Sequence, residues 1–157
     1  MSGTVRSKAT ATPAPPPAPT AGKITAGVIT ALISMVLCAA AYAGVIATTR
    51  TVYGWIGLII GGAIGSAVHR RGCGGAVTST VSAVCSLAAT FLGQYVGFTL
   101  LAAHDLGLDP VDILLHHSGA ALTLWQDQLG FVNLMGLVLA PVLGAVFPNI
   151  GDTPKRL

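Results

Sequence analysis

The sequence predicts an all-α polytopic membrane protein, with four transmembrane helices and a short interfacial helix in one connecting loop. Three observations carry that prediction. Hydrophobic residues make up 53% of the 157 and charged residues only 8%, against about 25% charged in soluble domains. The charges are grouped in short stretches between charge-free runs. Each run approaches or exceeds the length that crosses a hydrocarbon core of about 30 Å. So few charges cannot cover a soluble sphere of this size. An ordinary soluble enzyme is excluded, and so is a nucleic-acid binder, despite a pI near 9.0.

Residues 1–23 are mostly Ser, Thr, Ala and Pro, with Pro13, Pro15, Pro16, Pro17 and Pro19 close together. Such a tract has little to bury, and it predicts a disordered cytoplasmic tail. Residues 24–150 form the predicted transmembrane domain, with spans over 24–48, 52–68, 76–103 and 131–147, and 151–157 form a second cytoplasmic tail. The run over 52–68 sits at the lower limit of about 17 residues for a span. Ala41-Tyr42-Ala43 follows an apolar core as a signal cleavage site would. The apolar run continues to Thr48, so the first helix is expected to be retained.

Orientation follows from Lys and Arg in the flanks. With the N-terminus cytoplasmic, Arg6, Lys8, Lys23, Arg70, Arg71, Lys155 and Arg156 lie inside and Arg50 alone lies outside. The expectation is a multi-pass protein of the bacterial inner membrane with both termini cytoplasmic. Asp105, Asp109, Asp112 and Asp127 then fall outside. Arg70 and Arg71 suit an anionic inner leaflet, at about 1 kcal/mol per charge.

Hydrophobicity cannot hold helices together in lipid, whereas close backbone approach at small residues can. Helix two carries Gly57, Gly61 and Gly65 at four-residue spacing. Helix three carries Ala89, Gly93 and Gly97, and helix four carries Gly136, Ala140 and Gly144. Helix one offers Ala40 and Gly44. These ridges predict a tight bundle within one chain. The alternative is a glycine zipper between copies, enclosing a pore. Pro141 predicts a static kink in the last helix.

Polar residues within the spans gather near the outer level. Gln94 and Asn133 are placed to hydrogen-bond across helices, with Tyr42, Tyr53, Trp55 and Tyr95 at the same level. An aromatic belt with one interhelical bond is the expectation; a polar vestibule for a quinone or small solute is the alternative. In the outer loop, Asp109-Pro110 is a helix start with Asp112 in its first turn. The helix is expected over 110–126, and its many apolar residues place it on the membrane surface. Asp112 and His116 share one face. With His104 and Asp109 they form a candidate divalent-metal set. Cys38, Cys73 and Cys85 have no CxxC partner and read as packing residues. No catalytic constellation and no cofactor motif is present.

Gly61-Gly62-Ala63-Ile64-Gly65, the run VHRRGCGG over 68–75, and Asp109-Pro110-Val111-Asp112-Ile113-Leu114 together resemble a group of small four-helix bacterial inner-membrane proteins. The resemblance covers residues 52–116. It implies the same four-helix architecture and supplies no activity.

The function expected from these features is that of an accessory, assembly or scaffolding subunit, whose partners are the bilayer and other membrane subunits or further copies. A homo-oligomeric pore or small-solute transporter, holin-like proteins included, is the second class. A membrane enzyme or metal-binding protein using the outer His and Asp residues is the third.

Overall fold

A computed structural model describes residues 21–72, 75–116, 118–127 and 130–150. Among these residues every element is helical. The order is α1 (Ala21–Thr49), α2 (Ile56–His69), α3 (Ala76–Leu106), α4 (Pro110–His116), α5 (Ser118–Asp127) and α6 (Phe131–Val146), then a 3-10 turn over Phe147–Asn149. Three helical stretches are long and apolar enough to cross a membrane: Ala21–Thr49, Ala76–Leu106 and Phe131–Asn149.

α2 departs from the expected span over 52–68. It has 14 residues, which at about 1.5 Å each reach about 21 Å. The charge-free run starts at Val52, but Thr51 and Val52 are β-branched and favour extended backbone. The chain is outside any helix over residues 51–53 and turns at Gly54 and Trp55 before α2 begins. A run without charges is therefore longer than the helix inside it. α3 departs in the opposite sense, passing the expected end at 103 and reaching Leu106. Its stop is Gly107, in the left-handed conformation at φ 65°. The Leu108 N–H bonds back to the Ala103 carbonyl at 3.0 Å, the closure of a glycine-terminated helix.

Within the single helix expected over 110–126, the described residues form α4 (Pro110–His116) and α5 (Ser118–Asp127). α1 begins at Ala21, so the last three residues of the expected tail, through Lys23, belong to the helix. The expected tails at 1–20 and 151–157, Cys73 and His117 lie outside the described residues.

α3 is the centre of the bundle. It touches α1, α2 and α6, meets α4 at its end through Ala102 and Ala103, and meets α5 further back through Phe91 and Gln94. α1 and α3 run parallel, with Tyr42 against Gly93 and Ile46 against Gly97. α2 and α6 also run parallel, with Gly57 against Gly136 and Gly61 against Ala140. The core between these pairs holds Tyr42 and Ile46 of α1, Ile60, Ile64 and Val68 of α2, and Cys85 and Ala89 of α3. A second small cluster, Ala102, Ala103 and Ile113, seats α4 on the end of α3. α6 continues through Pro141, whose missing N–H leaves the Leu137 carbonyl without its helical donor.

Candidate functional site

The small residues expected to pack helices do so within this one chain. A methyl group placed at Gly57 would lie 2.6 Å from the Gly136 carbonyl oxygen. One at Gly61 would strike the Ala140 carbonyl oxygen, and one at Gly65 would come 2.6 Å from Phe147 Cβ. Gly93 and Gly97 receive Tyr42 and Ile46 at 3.0 and 2.8 Å from such a methyl. Gly144 faces Ser86 of α3. Gly136 also meets Gly54, and Gly54 meets Val132. Gly54 falls outside the four-residue spacing of α2, so spacing alone does not reveal it.

Ala40 and Gly44 of α1 behave differently. Nothing lies within 4 Å of a methyl placed at Gly44, and Ala40 is exposed. They continue an outward ridge of α1 that carries Ile33 and Leu37, 57% and 65% exposed. Only 11% of the apolar window of α1 is buried, against 39% of that of α3. Beside this ridge, Met35, Val36, Ala39 and Ala40 of α1 and Leu92 and Val96 of α3 line an apolar groove of about 290 Å³. Ala39 and Ala40 leave the space there. The groove and the Ala40–Gly44 pair thus form one outward surface.

At the Arg50 end a buried polar chain ties four segments together. The Trp125 indole N–H donates to Gln94 Oε1 at 2.9 Å. The Gln94 amide nitrogen donates to the Tyr42 hydroxyl at 3.3 Å. That hydroxyl donates to the Tyr53 carbonyl at 3.2 Å. Gln94 and Tyr42 are both fully buried, so each bond protects a group that is costly to leave unpaired. The expected partner of Gln94 was Asn133; the partners found are Tyr42 and Trp125. Trp125 escapes sequence reasoning because it lies 31 residues away on a loop helix. Phe91 packs edge-on against it, with ring centres 5.3 Å apart.

α3 also buries Thr78, Ser79, Ser82, Ser86, Thr90 and Thr99. Ser86, Thr90 and Thr99 donate to carbonyls one turn back, at 2.7, 2.9 and 2.9 Å. Such bonds satisfy a hydroxyl without a partner from another helix. The Ser82 hydroxyl has no protein partner among the described residues. The sequence TSTVSAVCSLAAT carries this stripe at three- and four-residue spacing, a pattern that no charge marks.

The outer-loop metal set does not assemble. Asp112 and His116 pair at 2.9 Å on α4, both well exposed. Asp109 is used as a cap, its carboxylate accepting the Val111 N–H at 2.8 Å. His104 lies in the last turn of α3. Among the described residues no three His, Cys, Asp or Glu side chains gather as ligands. The physical reason is the seating of α4 through the buried Ile113, which turns its Asp112–His116 face outward. Asp105 instead pairs with Arg50 at 3.4 Å.

At the opposite end the 3-10 turn is clamped. The Asn149 side chain donates to Ser79 Oγ at 2.7 Å and accepts the Gly75 N–H at 3.3 Å. His69 Nδ1 lies 3.1 Å from the Pro148 carbonyl oxygen. Arg70 and Arg71 follow α2 at this end, both exposed. On α2, Ile59, Gly62, Ala63, Ser66, Ala67 and Arg70 line a second open groove of about 460 Å³.

No family model, curated protein or solved structure matches this chain. Its geometry is therefore the whole basis for reading its function.

Proposed function

We propose that the chain is a four-pass inner-membrane protein that acts as an accessory or assembly subunit, docking on another membrane protein through the outward face of α1. The observation that carries this is the contrast between small-residue faces. Those of α2, α3 and α6 are occupied inside the chain, whereas Ala40 and Gly44 face outward beside an apolar groove. In lipid, such a face gives a second helix the close backbone approach on which association depends. The groove adds a receptor for one large side chain from that helix.

In this reading α2 spans with the help of the link that precedes it, under local thinning of the bilayer. The N-terminus is cytoplasmic, and Arg50 with Asp105 lies outside. α4 and α5 lie at the outer membrane surface. The same occupancy counts against a pore lined by the glycine faces, because those faces are closed by helices of the same chain. The reading assigns no catalytic residue.

The test is site-directed photo-crosslinking in the native membrane, with the probe at Ala40 or Gly44 and, for comparison, at Val138 on α6. A single discrete protein adduct is expected from the two α1 positions and none from Val138. Adducts to lipid alone at all three positions would refute docking through α1.

A further inference from the structure

The groove on α2 offers a separate site. Its lining recurs at 59, 62, 63, 66, 67 and 70, one stripe of the helix, opposite the buried face of Gly57, Ile60, Gly61, Ile64, Gly65 and Val68. Gly62, Ala63 and Ala67 leave a trough between Ile59 and Arg70. The Phe147 ring stands beside it, 3.8 Å from a methyl placed at Gly62. The walls are apolar apart from Ser66 and the guanidinium at the foot.

The length of α2 makes Arg70 unusual. At about 21 Å the helix falls about 9 Å short of the hydrocarbon thickness. Its terminal arginine is therefore drawn toward the boundary between acyl chains and headgroups, where long cationic side chains reach for phosphate. Among the described residues Arg70 has no ion-pair partner. A planar guanidinium matches phosphate through paired hydrogen bonds.

We propose that this groove binds one anionic phospholipid, with an acyl chain along Gly62, Ala63 and Ser66 and its phosphate on Arg70. Charge complementarity selects the anionic class, since a zwitterionic headgroup brings a cation beside the arginine. The proposal rests on α2 lying in the bilayer and not on docking through α1.

The test uses the full chain in nanodiscs of mixed phosphatidylcholine and phosphatidylglycerol, with the retained lipid identified by native mass spectrometry. One phosphatidylglycerol is expected to stay bound, enriched above its fraction in the disc. Arg70→Gln should lower that retention about tenfold or more, the usual effect of losing a charged hydrogen-bond partner. Gly62→Leu should do the same by filling the trough while Arg70 remains, and Ala67→Leu serves if that variant does not fold. Lys23→Gln removes a cation at the same end and should leave retention unchanged. Equal losses for Lys23→Gln and Arg70→Gln, with none for the groove variants, would reduce the effect to bulk surface charge and overturn the site. Absence of enrichment in the wild type would overturn it outright. A chain that fails to enter the disc would overturn the membrane reading with it.

Discussion

Gly61→Ala adds one methyl group where α2 crosses α6. That methyl would sit 3.0 Å from the Ala140 carbonyl carbon and 3.1 Å from its Cα, with the carbonyl oxygen nearer still. All three atoms are backbone, so no side chain can swing aside. Carbon atoms rest at about 3.5–4.0 Å, so the helices must part by roughly 0.5–1 Å. A gap of that size forfeits about a quarter to a half of each dispersion contact along the crossing. Overpacking of this kind costs about 1–3 kcal/mol, or roughly 5- to 150-fold in the folding equilibrium. The adjacent Gly62→Ala meets only Phe147, at 3.8 and 3.9 Å, an ordinary contact. It should be neutral or slightly stabilising, because alanine loses less backbone entropy in a helix. Unfolding in mixed micelles titrated with dodecyl sulfate, followed by far-ultraviolet circular dichroism, separates the two. Equal stability of both variants would refute close α2–α6 packing.

Three further outcomes follow from named contacts. Gln94→Leu removes the acceptor of the Trp125 indole; in a Trp55→Phe background the Trp125 emission should shift and stability fall by about 0.6–2 kcal/mol, and unchanged emission would contradict the buried chain. Asn149→Ala releases Ser79 and the Gly75 N–H, so hydrogen exchange at Gly75 and the first turn of α3 should accelerate; exchange at the wild-type rate would contradict the clamp. Arg50 holds a left-handed backbone at φ 54° and an exposed ion pair with Asp105. Such a pair is worth about 0–1 kcal/mol and the left-handed conformation costs a non-glycine residue about 1–2 kcal/mol, so Arg50→Gly should leave thermal stability unchanged or raised, and a clear loss would reverse that balance.

The apolar runs of helices one, three and four were legible because composition alone marks a membrane span. Their ends were not. Gly107 stops α3 later than the last uncharged residue, and Thr51 to Tyr53 delay α2 although they carry no charge. The small-residue faces were legible from four-residue spacing, but which neighbour each one meets was not, since spacing fixes a face and not its partner. For the same reason Ala40 and Gly44 resemble the other small-residue sets in sequence, although the structure places them outward. Gln94 was singled out as a buried amide, yet its bond to Trp125 depends on how α5 folds back. The four candidate metal residues do not gather, because closeness in sequence does not stop Asp109 from capping α4, Asp112 and His116 from pairing on its exposed face, and His104 from staying on the last turn of α3. The Ser and Thr stripe of α3 was present in the sequence throughout. Hydroxyls that bond their own helix carry no charge, so charge patterning does not mark them.

Docking through α1 is the central claim, and native mass spectrometry of the tagged chain, gently extracted from its own membrane, tests it most directly. One discrete heteromeric mass is expected for the wild type, and a lone folded monomer for Gly44→Leu. A wild-type homo-oligomer, a wild-type monomer, or a heteromer that survives Gly44→Leu would contradict it.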